Sequence, residues 1–303
     1  METKQLRTFK VASENLNFTR TAKIVNFAQS SVTAQIKALE LELGTPLFER
    51  LGKRLLLTEA GERFKVYAER MILLEEDAKG NVNGGEEPAG TLIIGAQESQ
   101  CTYRLPPILK EFKVQFPRVK LIFKPAHSDE IAKKQLKEGL LDLAFVTDLS
   151  DSSDTFESVH LAKESIIMVA AANHPILSKH EVTPADLENE TLLLTETGCS
   201  YRTILEESFR SSDVFPSNKI EFVSIEAIKQ CVIAGLGIAI LPAMAVEADL
   251  KTGKMEQLPW QKFTTPIHTQ ITWHKDKQLT TPLKEFIEIT KRWFKEYGSY
   301  TNN

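Results

Sequence analysis

Hydrophobic positions near the start of the chain recur at helical spacing and predict three short helices. The first helix is marked by four apolar positions, at Leu6, Phe9, Ala12 and Leu16. The second covers residues 19–27. The third covers residues 30–43, and its apolar positions recur at spacings of four, three and four, at Val32, Ile36, Leu39 and Leu43. Gly44 follows this run, and glycine is typical of the position that ends a helix.

A second face of the third helix carries only uncharged polar and basic groups. Gln29, Thr33 and Lys37 recur at spacings of four and offer amide, hydroxyl and ammonium groups. Such groups bind base edges and phosphates when a helix lies in the major groove of DNA. An ordinary amphipathic helix with one solvated side would show the same pattern, so this helix alone leaves both interpretations open.

Strand-like residues on both sides of Gly52 predict a hairpin after the third helix. The tip of the hairpin carries three basic side chains, Arg50, Lys53 and Arg54. A basic tip beside a polar helix face is suited to gripping the phosphate backbone.

A long helix begins near Thr58, which can serve as its N-cap. Its apolar positions alternate at spacings of three and four, at Phe64, Tyr67, Met71, Leu74 and Ala78. Such a seam either packs on the chain's own core or joins two chains. Because a helix that leads out of a small domain has little else to pack on, the pattern favours dimerisation. The dimer contacts would be Phe64, Tyr67, Met71 and Leu74.

The pattern changes after residues 80–90, whose composition predicts a hinge. From Thr91 onward, strand-like runs alternate with helical periodicity, which predicts mainly parallel sheets covered by helices on both faces. Gly235 and Gly237 allow two interpretations, a nucleotide-binding loop or tight packing of a helix on a strand. The second is favoured, because the rest of the dinucleotide fingerprint is absent.

Charge is distributed unevenly along the 303 residues. The whole chain has a formal net charge of -4. Residues 1–58 hold nine basic and five acidic side chains, a local charge of +4, so the remainder carries -8. A basic end on an acidic body indicates a polyanionic partner for the N-terminal part alone.

The rest of the composition argues against several classes of protein. Three widely spaced cysteines, Cys101, Cys199 and Cys231, show neither a disulfide framework nor a zinc pattern, and the six histidines are scattered. No signal peptide precedes the first helix. The longest uncharged run, 231–246, is shorter than the roughly 20 residues that a membrane span needs. We therefore expect a cytoplasmic protein without a cofactor or a metal.

The first 61 residues contain five ordered motifs. They are Phe18-Thr19-Arg20-Thr21-Ala22, Gln29-Ser30-Ser31-Val32-Thr33, Ile36-Lys37-Ala38-Leu39-Glu40, Leu43-Gly44-Thr45-Pro46-Leu47-Phe48-Glu49-Arg50 and Leu57-Thr58-Glu59-Ala60-Gly61. In order and spacing they resemble the winged helix-turn-helix of LysR-type transcriptional regulators, and the resemblance extends over essentially the whole chain. That family commonly has a proline where this chain has Ser30, which affects only the base contacts that Ser30 would make.

The resemblance implies an N-terminal winged helix-turn-helix, mainly α, over residues 1–58, and a linker helix with a hinge over 59–90. An α/β effector domain over 91–303 would follow, similar to periplasmic binding proteins. Its two subdomains, 91–162 with 268–303 and 163–267, would flank a cleft. The implied DNA contacts are Arg20, Gln29, Ser30, Ser31, Thr33, Lys37, Arg50, Lys53 and Arg54. The implied partners are double-stranded DNA, RNA polymerase and further copies of the chain, in a homodimer or homotetramer.

Ligands of open α/β sheets bind beyond the carboxyl ends of the strands. In LysR-type regulators the first such loop holds an anionic group through hydroxyls and N–H groups at a helix start. The resemblance gives this role to Ser99 and Thr102, with Ser128 across the cleft. The full expected set is Ser99, Gln100, Cys101, Thr102, Ser128, Thr147, Thr197, Gly198, Cys199 and Ser200. The expected effector is a small, anionic metabolite.

Two alternatives to an effector-controlled regulator stay open. Residues 196–202 loosely resemble the redox loop of the family's peroxide sensors, with Cys199 displaced by one residue, which would make the chain a thiol-based sensor. A solute-binding protein or an enzyme is the alternative from another class. A hydrolase would need a Gly-x-Ser-x-Gly elbow, which is absent, and a solute-binding protein would carry a signal peptide. We therefore expect no enzymatic activity.

Overall fold

The computed structural model describes residues 1–52, 54–82, 88–126, 128–147, 154–260 and 267–298. The chain divides into two compact units, residues 1–91 and 92–303. The first unit contains three helices, an antiparallel hairpin and a long helix. These are α1 (Thr3–Asn15), α2 (Phe18–Val25), α3 (Gln29–Leu43), β1 (Phe48–Leu51), β2 (Arg54–Leu57) and α4 (Glu59–Val82). The predicted winged helix-turn-helix is confirmed.

Local sequence explains where these helices begin and end. The side chain of Asn17 accepts a hydrogen bond from the Arg20 amide (3.0 Å) and starts α2. Gly44 ends α3 with φ 68°, a left-handed conformation that glycine adopts without strain. The Thr58 hydroxyl accepts from the Gly61 amide at 3.0 Å, as expected of the N-cap of α4.

One hydrophobic core joins α1 and α3 to the long helix α4. Its buried members are Leu6, Phe9, Ala12, Ala22, Val32, Ile36, Leu39, Leu47, Ala68 and Ile72. Phe64 and Met71 pack against this core, and the ring of Phe64 lies 5.1 Å from that of Phe9. The sequence led us to expect that this face of α4 has little to pack on within one chain. For Phe64 and Met71 this expectation is wrong, because both pack against the core that α1 helps to form. Tyr67 and Leu74 remain 52% and 68% exposed.

Gly61, in the first turn of α4, is required by a close backbone approach. A Cβ at this position would lie 2.1 Å from the Leu47 carbonyl oxygen. Replacing glycine by alanine in a helix ordinarily stabilises it by about 1 kcal/mol. Here the clash with backbone decides the sign, and we expect Gly61→Ala to destabilise the first unit by about 1–3 kcal/mol.

Hydrogen exchange of the amides in α1 to α4 measures this effect, because all three tryptophans of the chain lie in the second unit and do not report on the first. Glu62→Ala, at an exposed neighbouring position, is the control and should shift stability by no more than about 0.5 kcal/mol. Faster exchange in both variants alike would contradict the steric argument.

Two five-stranded sheets build the second unit. The first subdomain contains β3 (Gly90–Ala96), α5 (Glu98–Tyr103), α6 (Leu105–Gln115), β4 (Val119–Pro125), α7 (Asp129–Lys137), β5 (Leu143–Val146) and β6 (Phe156–Glu164), and later β12 (Ile267–His274) and α11 (Thr281–Tyr297). The second subdomain contains β7 (Ile166–Ala171), β8 (Leu192–Thr195), α8 (Ser200–Ser211), β9 (Lys219–Phe222), α9 (Ile225–Ile233), β10 (Ile238–Pro242), α10 (Ala243–Lys251) and β11 (Met255–Gln257).

The prediction of mainly parallel sheets is wrong, because both sheets are mixed. The first has the strand order β4-β3-β5-β12-β6, and the second has β11-β7-β10-β8-β9. β3 pairs with β5 and β8 pairs with β9 and β10 in parallel, whereas β12 runs antiparallel to β5 and β6, and β7 to β10 and β11. β12 carries the chain back into the first sheet after the second is complete, so it enters from the opposite end.

Several elements of the second unit were not predicted, among them β6, β11, α10 and α5. β6 pairs with β12 along its whole length, α10 follows directly on Pro242, and α5 lies where a loop was expected. β6 ends at Glu164 and β7 begins at Ile166, so the chain crosses between the sheets just after the expected boundary at 162/163. The second expected crossing, near 265–268, lies partly outside the described residues, as does the predicted hinge over 80–90.

The two glycines of the Gly235–Gly237 stretch have structural explanations. Gly235 has φ +77° after the end of α9, and a Cβ on Gly237 would lie 2.2 Å from the Thr191 carbonyl oxygen. Both positions therefore need glycine for the backbone itself. None of the helices within the described ranges combines the length and hydropathy that a membrane crossing needs.

Candidate functional site

The core-facing side of α3 determines which side chains the helix presents to solvent. Val32, Ile36 and Leu39 are buried. The exposed side chains on the remaining surface include Gln29, Ser30, Ser31 and Lys37. Thr33 is half-buried, and its hydroxyl donates to the Gln29 carbonyl at 3.0 Å, so its lone pairs are still able to accept. Arg20, on α2, is exposed as well.

The hairpin that follows α3 is anchored to it by a carboxylate. Glu40 accepts hydrogen bonds from the backbone amides of Leu47 (2.8 Å) and Phe48 (3.1 Å). The ring of Phe48 also meets that of Phe18, with centroids 5.3 Å apart. Arg50 and Arg54 project from this anchored hairpin into solvent, and Lys53 lies outside the described residues. The Glu40 carboxylate is therefore bound to backbone amides within the unit. The polar side chains of α3 and the two arginines of the hairpin are left to meet an anionic partner.

A cavity of about 350 Å³ lies in the second unit, beyond the carboxyl ends of strands from both sheets. Residues of both subdomains line it: Ala96, Gln97, Glu98, Ser99, Cys101, Phe123, Lys124, Pro125, Thr195, Glu196, Cys199, Tyr201, Val223, Ser224 and Ile225. Ala96 ends β3 and Thr195 ends β8, so each sheet contributes one wall. A molecule bound here contacts both subdomains at once.

Asp129 connects the two subdomains beside the cavity through hydroxyl groups. Its carboxylate accepts from the Thr147 amide at 2.9 Å and from the Ser200 hydroxyl at 3.4 Å. The hydroxyls of Thr147 and Ser200 are 2.7 Å apart. Burial raises the pKa of Asp129, and the hydrogen bonds from Thr147 and Ser200 act in the opposite direction. Thr147 and Asp129 belong to the first subdomain and Ser200 begins α8, so this network ties the start of α8 to the first subdomain.

A second carboxylate crosses between the subdomains at the start of α9. Glu98 accepts from the Ser224 hydroxyl (2.9 Å) and from the Ile225 amide (2.7 Å). Ser224 is the N-cap of α9, so the positive end of that helix already has a carboxylate beside it. Nearby, the Tyr103 hydroxyl donates to Glu226 at 3.3 Å. The subdomains are thus held in contact on both sides of the cavity.

Three polar atoms in the cavity wall have no hydrogen-bond partner of normal geometry among the described residues. They are the Oε1 atom of Gln97, the hydroxyl of Ser99 and the hydroxyl of Tyr201. Ser99 and Tyr201 are almost completely buried. Burial raises the pKa of Tyr201, as does the Glu164 carboxylate, and the Ser99 hydroxyl partly offsets the increase. The phenol therefore remains a neutral donor. These atoms have almost no exposed area and therefore lie behind the cavity surface, with the Ser99 hydroxyl next to the Tyr201 phenol.

A buried ion pair lies where the chain crosses between the sheets. Arg104 donates two hydrogen bonds to Glu164, one of them at 3.1 Å, and both side chains are at most 5% exposed. Thr269 also donates to Glu164, and the amide of Gln100 donates to Thr269 at 3.1 Å. The guanidinium of Arg104 lies over the ring of Phe294, 5.2 Å from its centroid. Gln100 is therefore engaged in this network and not in the cavity wall.

Comparison with known families accounts for both units of the chain. Residues 3–62 match the family model of the bacterial regulatory helix-turn-helix protein, lysR family, and residues 85–295 match the LysR substrate binding domain. This chain belongs to the LysR family of transcriptional regulators. Its sequence is 59% identical to the HTH-type transcriptional regulator YwqM of Bacillus subtilis over 295 residues, 97% of this chain and 100% of the relative.

Solved structures of LysR regulators share the fold. CbnR in complex with its target DNA matches with a TM-score of 0.71 at 22% identity, over 97% of this chain and 100% of that chain. Full-length OxyR from Pseudomonas aeruginosa matches with a TM-score of 0.61 at 23% identity, over 97% of this chain and 95% of that chain. By its two family matches the chain is a DNA-binding LysR regulator with an effector-binding domain.

The structure brings only part of the expected LysR effector set to the cavity. Ser99, Cys101 and Cys199 line it. Thr102, Thr197 and Gly198 are exposed and do not belong to its wall. Ser128 serves as the N-cap of α7, its hydroxyl accepting from the Ile131 amide at 3.2 Å. Thr147 and Ser200 form the network with Asp129. The role expected of Thr102 is thus not supported by its position.

Sequence reasoning missed several groups of the cavity. Gln97, Glu98 and Tyr201 were not expected as ligand contacts. Gln97 and Glu98 nevertheless precede Ser99 in the sequence, and Tyr201 follows Ser200. Phe123 lies in the middle of β4, where sequence indicates only a strand. The signal that the sequence offered is the position of Tyr201 in the first turn of a predicted helix that begins at a strand end. Within the described ranges, no three His, Cys, Asp or Glu side chains are grouped to hold a metal ion.

Proposed function

We propose that this LysR regulator reads operator DNA with α3 and the hairpin, and that a small molecule in the cavity controls its action. The observation that carries the proposal is the cavity, because residues of both subdomains form its wall. A ligand changes a conformational equilibrium only by binding one state better than another. A molecule that touches both walls has this property, since both sets of contacts exist only when the subdomains are together.

The proposed DNA contacts divide into two kinds. Gln29, Ser30, Ser31 and Thr33 lie in the first turns of α3 and would meet base edges, with Gln29 able to read adenine. Arg20, Lys37, Arg50, Lys53 and Arg54 would meet phosphates and hold the helix in register. The local charge of +4 over residues 1–58 supports this division.

A salt titration of DNA binding tests the proposal. Fluorescence anisotropy with DNA from upstream of the gene should show a slope of log affinity against log salt that falls by about 0.9 in Arg50→Ala, with weaker binding to every sequence. Gln29→Ala should keep the slope and reduce discrimination between sequences by about 1–3 kcal/mol.

Arg210→Ala makes the same charge change on an exposed helical position of the second unit and is the matched control. It should leave both the slope and the discrimination unchanged. Equal effects of all three variants on every sequence would show that the proposed roles are wrong, and an absence of salt-dependent binding in the wild type would contradict DNA recognition by this surface.

A thiol-based switch is the second candidate, because Cys101 and Cys199 line the same cavity from opposite subdomains. A disulfide between them would join the subdomains when peroxide oxidises both thiols, releasing two water molecules. However, burial raises the pKa of the Cys101 thiol and the Glu98 carboxylate raises it further, which reduces the reactive thiolate. We therefore prefer control by a ligand. A change of DNA binding on addition of peroxide that is lost in both Cys199→Ser and Cys101→Ser would reverse this preference.

The proposed partners follow from the same role. Since operator DNA lies in the bacterial cytoplasm, we propose a cytoplasmic location, and regulation of transcription would involve RNA polymerase. LysR regulators are oligomeric, and we propose that α4 supplies the dimer contact through Tyr67 and Leu74. Association through the second units would extend the dimer to a tetramer. Ligand-dependent closure of the subdomains would then change the spacing of the DNA-binding units within the oligomer.

A further inference from the structure

Two helices of the second subdomain begin at or beside the cavity, and each already has a carboxylate from the first subdomain at its N-terminus. Glu98 accepts from the hydroxyl of Ser224 and the amide of Ile225 at the start of α9. Asp129 accepts from the hydroxyl of Ser200 at the start of α8. Helix N-termini attract anions. In this chain its own acidic side chains occupy these positions.

The charged groups of the cavity wall do not favour a negatively charged ligand either. The wall contains two acidic residues, Glu98 and Glu196, and one basic residue, Lys124. Lys124 and Glu196 each have an interaction with another group. An anion placed here would lie beside the Glu98 carboxylate, which is exposed to solvent, so water weakens the repulsion without removing it.

The rest of the wall defines what the cavity accepts. Much of it is apolar, with carbon-rich surfaces from Ala96, Phe123, Pro125, Val223 and Ile225. Apolar walls with a few placed polar groups are typical of sites for small organic molecules. The Gln97 Oε1 atom and the hydroxyls of Ser99 and Tyr201 are completely buried behind this surface, so they add no polar contact for a ligand.

We infer that the effector is an uncharged, mainly apolar molecule, and not the anionic metabolite that the sequence resemblance implies. The inference rests on the proposed function of the cavity. The apolar wall selects a carbon-rich ligand, and the Glu98 carboxylate selects against a negative charge.

Two fluorescent probes that differ only by a sulfonate group test the charge preference. N-phenyl-1-naphthylamine is neutral and carries one N–H donor, and 1-anilinonaphthalene-8-sulfonate is the same molecule with a negative charge. Both become fluorescent in apolar sites. Titrated into the full chain, the neutral probe should bind about three- to tenfold more tightly than the anion. Equal or tighter binding of the anion, or no saturable binding of the neutral probe, would overturn the inference.

Glu98→Gln identifies the group responsible, because glutamine keeps an oxygen to accept from Ile225 and removes the charge. This variant should tighten binding of the sulfonate about three- to tenfold and leave the neutral probe unchanged. Glu188→Gln, at an exposed position outside the cavity wall, should change neither. An unaltered preference in Glu98→Gln would refute exclusion of anions by this carboxylate.

A further variant locates the binding site. Val223 is 71% exposed at the edge of the cavity, so Val223→Trp should fold normally and report bound probe by energy transfer from the new tryptophan. Energy transfer above that of wild type supports the cavity as the site, and the same transfer in both would exclude it. DNA anisotropy of the same samples is a separate readout. Loss of DNA recognition would refute the proposed function, whereas a reversed probe preference with intact DNA binding would refute only the ligand class.

Discussion

Replacing Glu164 by Gln is expected to lower the free energy of unfolding of the second unit by about 3–5 kcal/mol. The variant leaves the guanidinium of Arg104, 5% exposed, without a charged partner. It also replaces one of the two oxygens that accept from Arg104 and Thr269 with an amide nitrogen, which donates and cannot accept. A buried charge that loses its partner keeps the cost of desolvation without the compensating attraction, so the effect exceeds that of a surface ion pair.

Urea unfolding followed by tryptophan fluorescence measures this change, because Trp260, Trp273 and Trp293 all lie in the second unit. Glu111→Gln is the matched control, since Glu111 pairs with Arg292 on the surface and both side chains are well exposed. It should change stability by about 0–1 kcal/mol. A loss in Glu164→Gln no larger than in the control would show that the buried pair does not stabilise the crossing between the sheets.

Introducing charge at both exposed apolar positions of α4, by Tyr67→Glu with Leu74→Glu, is expected to dissociate the proposed dimer. The two positions are one heptad apart and remain exposed in the isolated chain. Burying one such side chain stabilises by about 1.5–3 kcal/mol, and a twofold dimer buries each position twice. The dissociation constant should therefore rise by several orders of magnitude. Met71 is left unchanged, because it packs against the core of its own chain.

Sedimentation velocity decides the outcome, with Val114→Glu, at another exposed apolar position of a helix, as the control. The control should sediment as the wild type does. The double variant should sediment more slowly and lose affinity for DNA sites that need two binding units. An unchanged sedimentation coefficient would place the dimer contact elsewhere, and exchange protection of α1 to α4 would show that the fold itself is intact.

The first unit could be predicted in detail because its signals are local. Apolar spacing placed Val32, Ile36 and Leu39 on the buried side of α3, and this also determined that Gln29 and Lys37 face solvent. Gly44 and Thr58 marked helix ends through backbone geometry and hydrogen bonds within a few residues. The prediction failed where the contact joins residues that are far apart in sequence. Phe64 and Met71 pack against a core to which α1, at the start of the chain, contributes.

The cavity shows the limit more clearly. From sequence alone the family, the alternation of strands and helices, and the loops that would lie at strand ends could be determined, and Ser99 and Cys199 were found in this way. Which of those residues meet was decided only by the tertiary structure. Glu98 and Ile225 are 127 positions apart in sequence and 2.7 Å apart in space. Local spacing contains no information about such a pair, since its distance depends on how two sheets pack. Glu98 thereby occupies the start of α9, a position that would otherwise attract an anion.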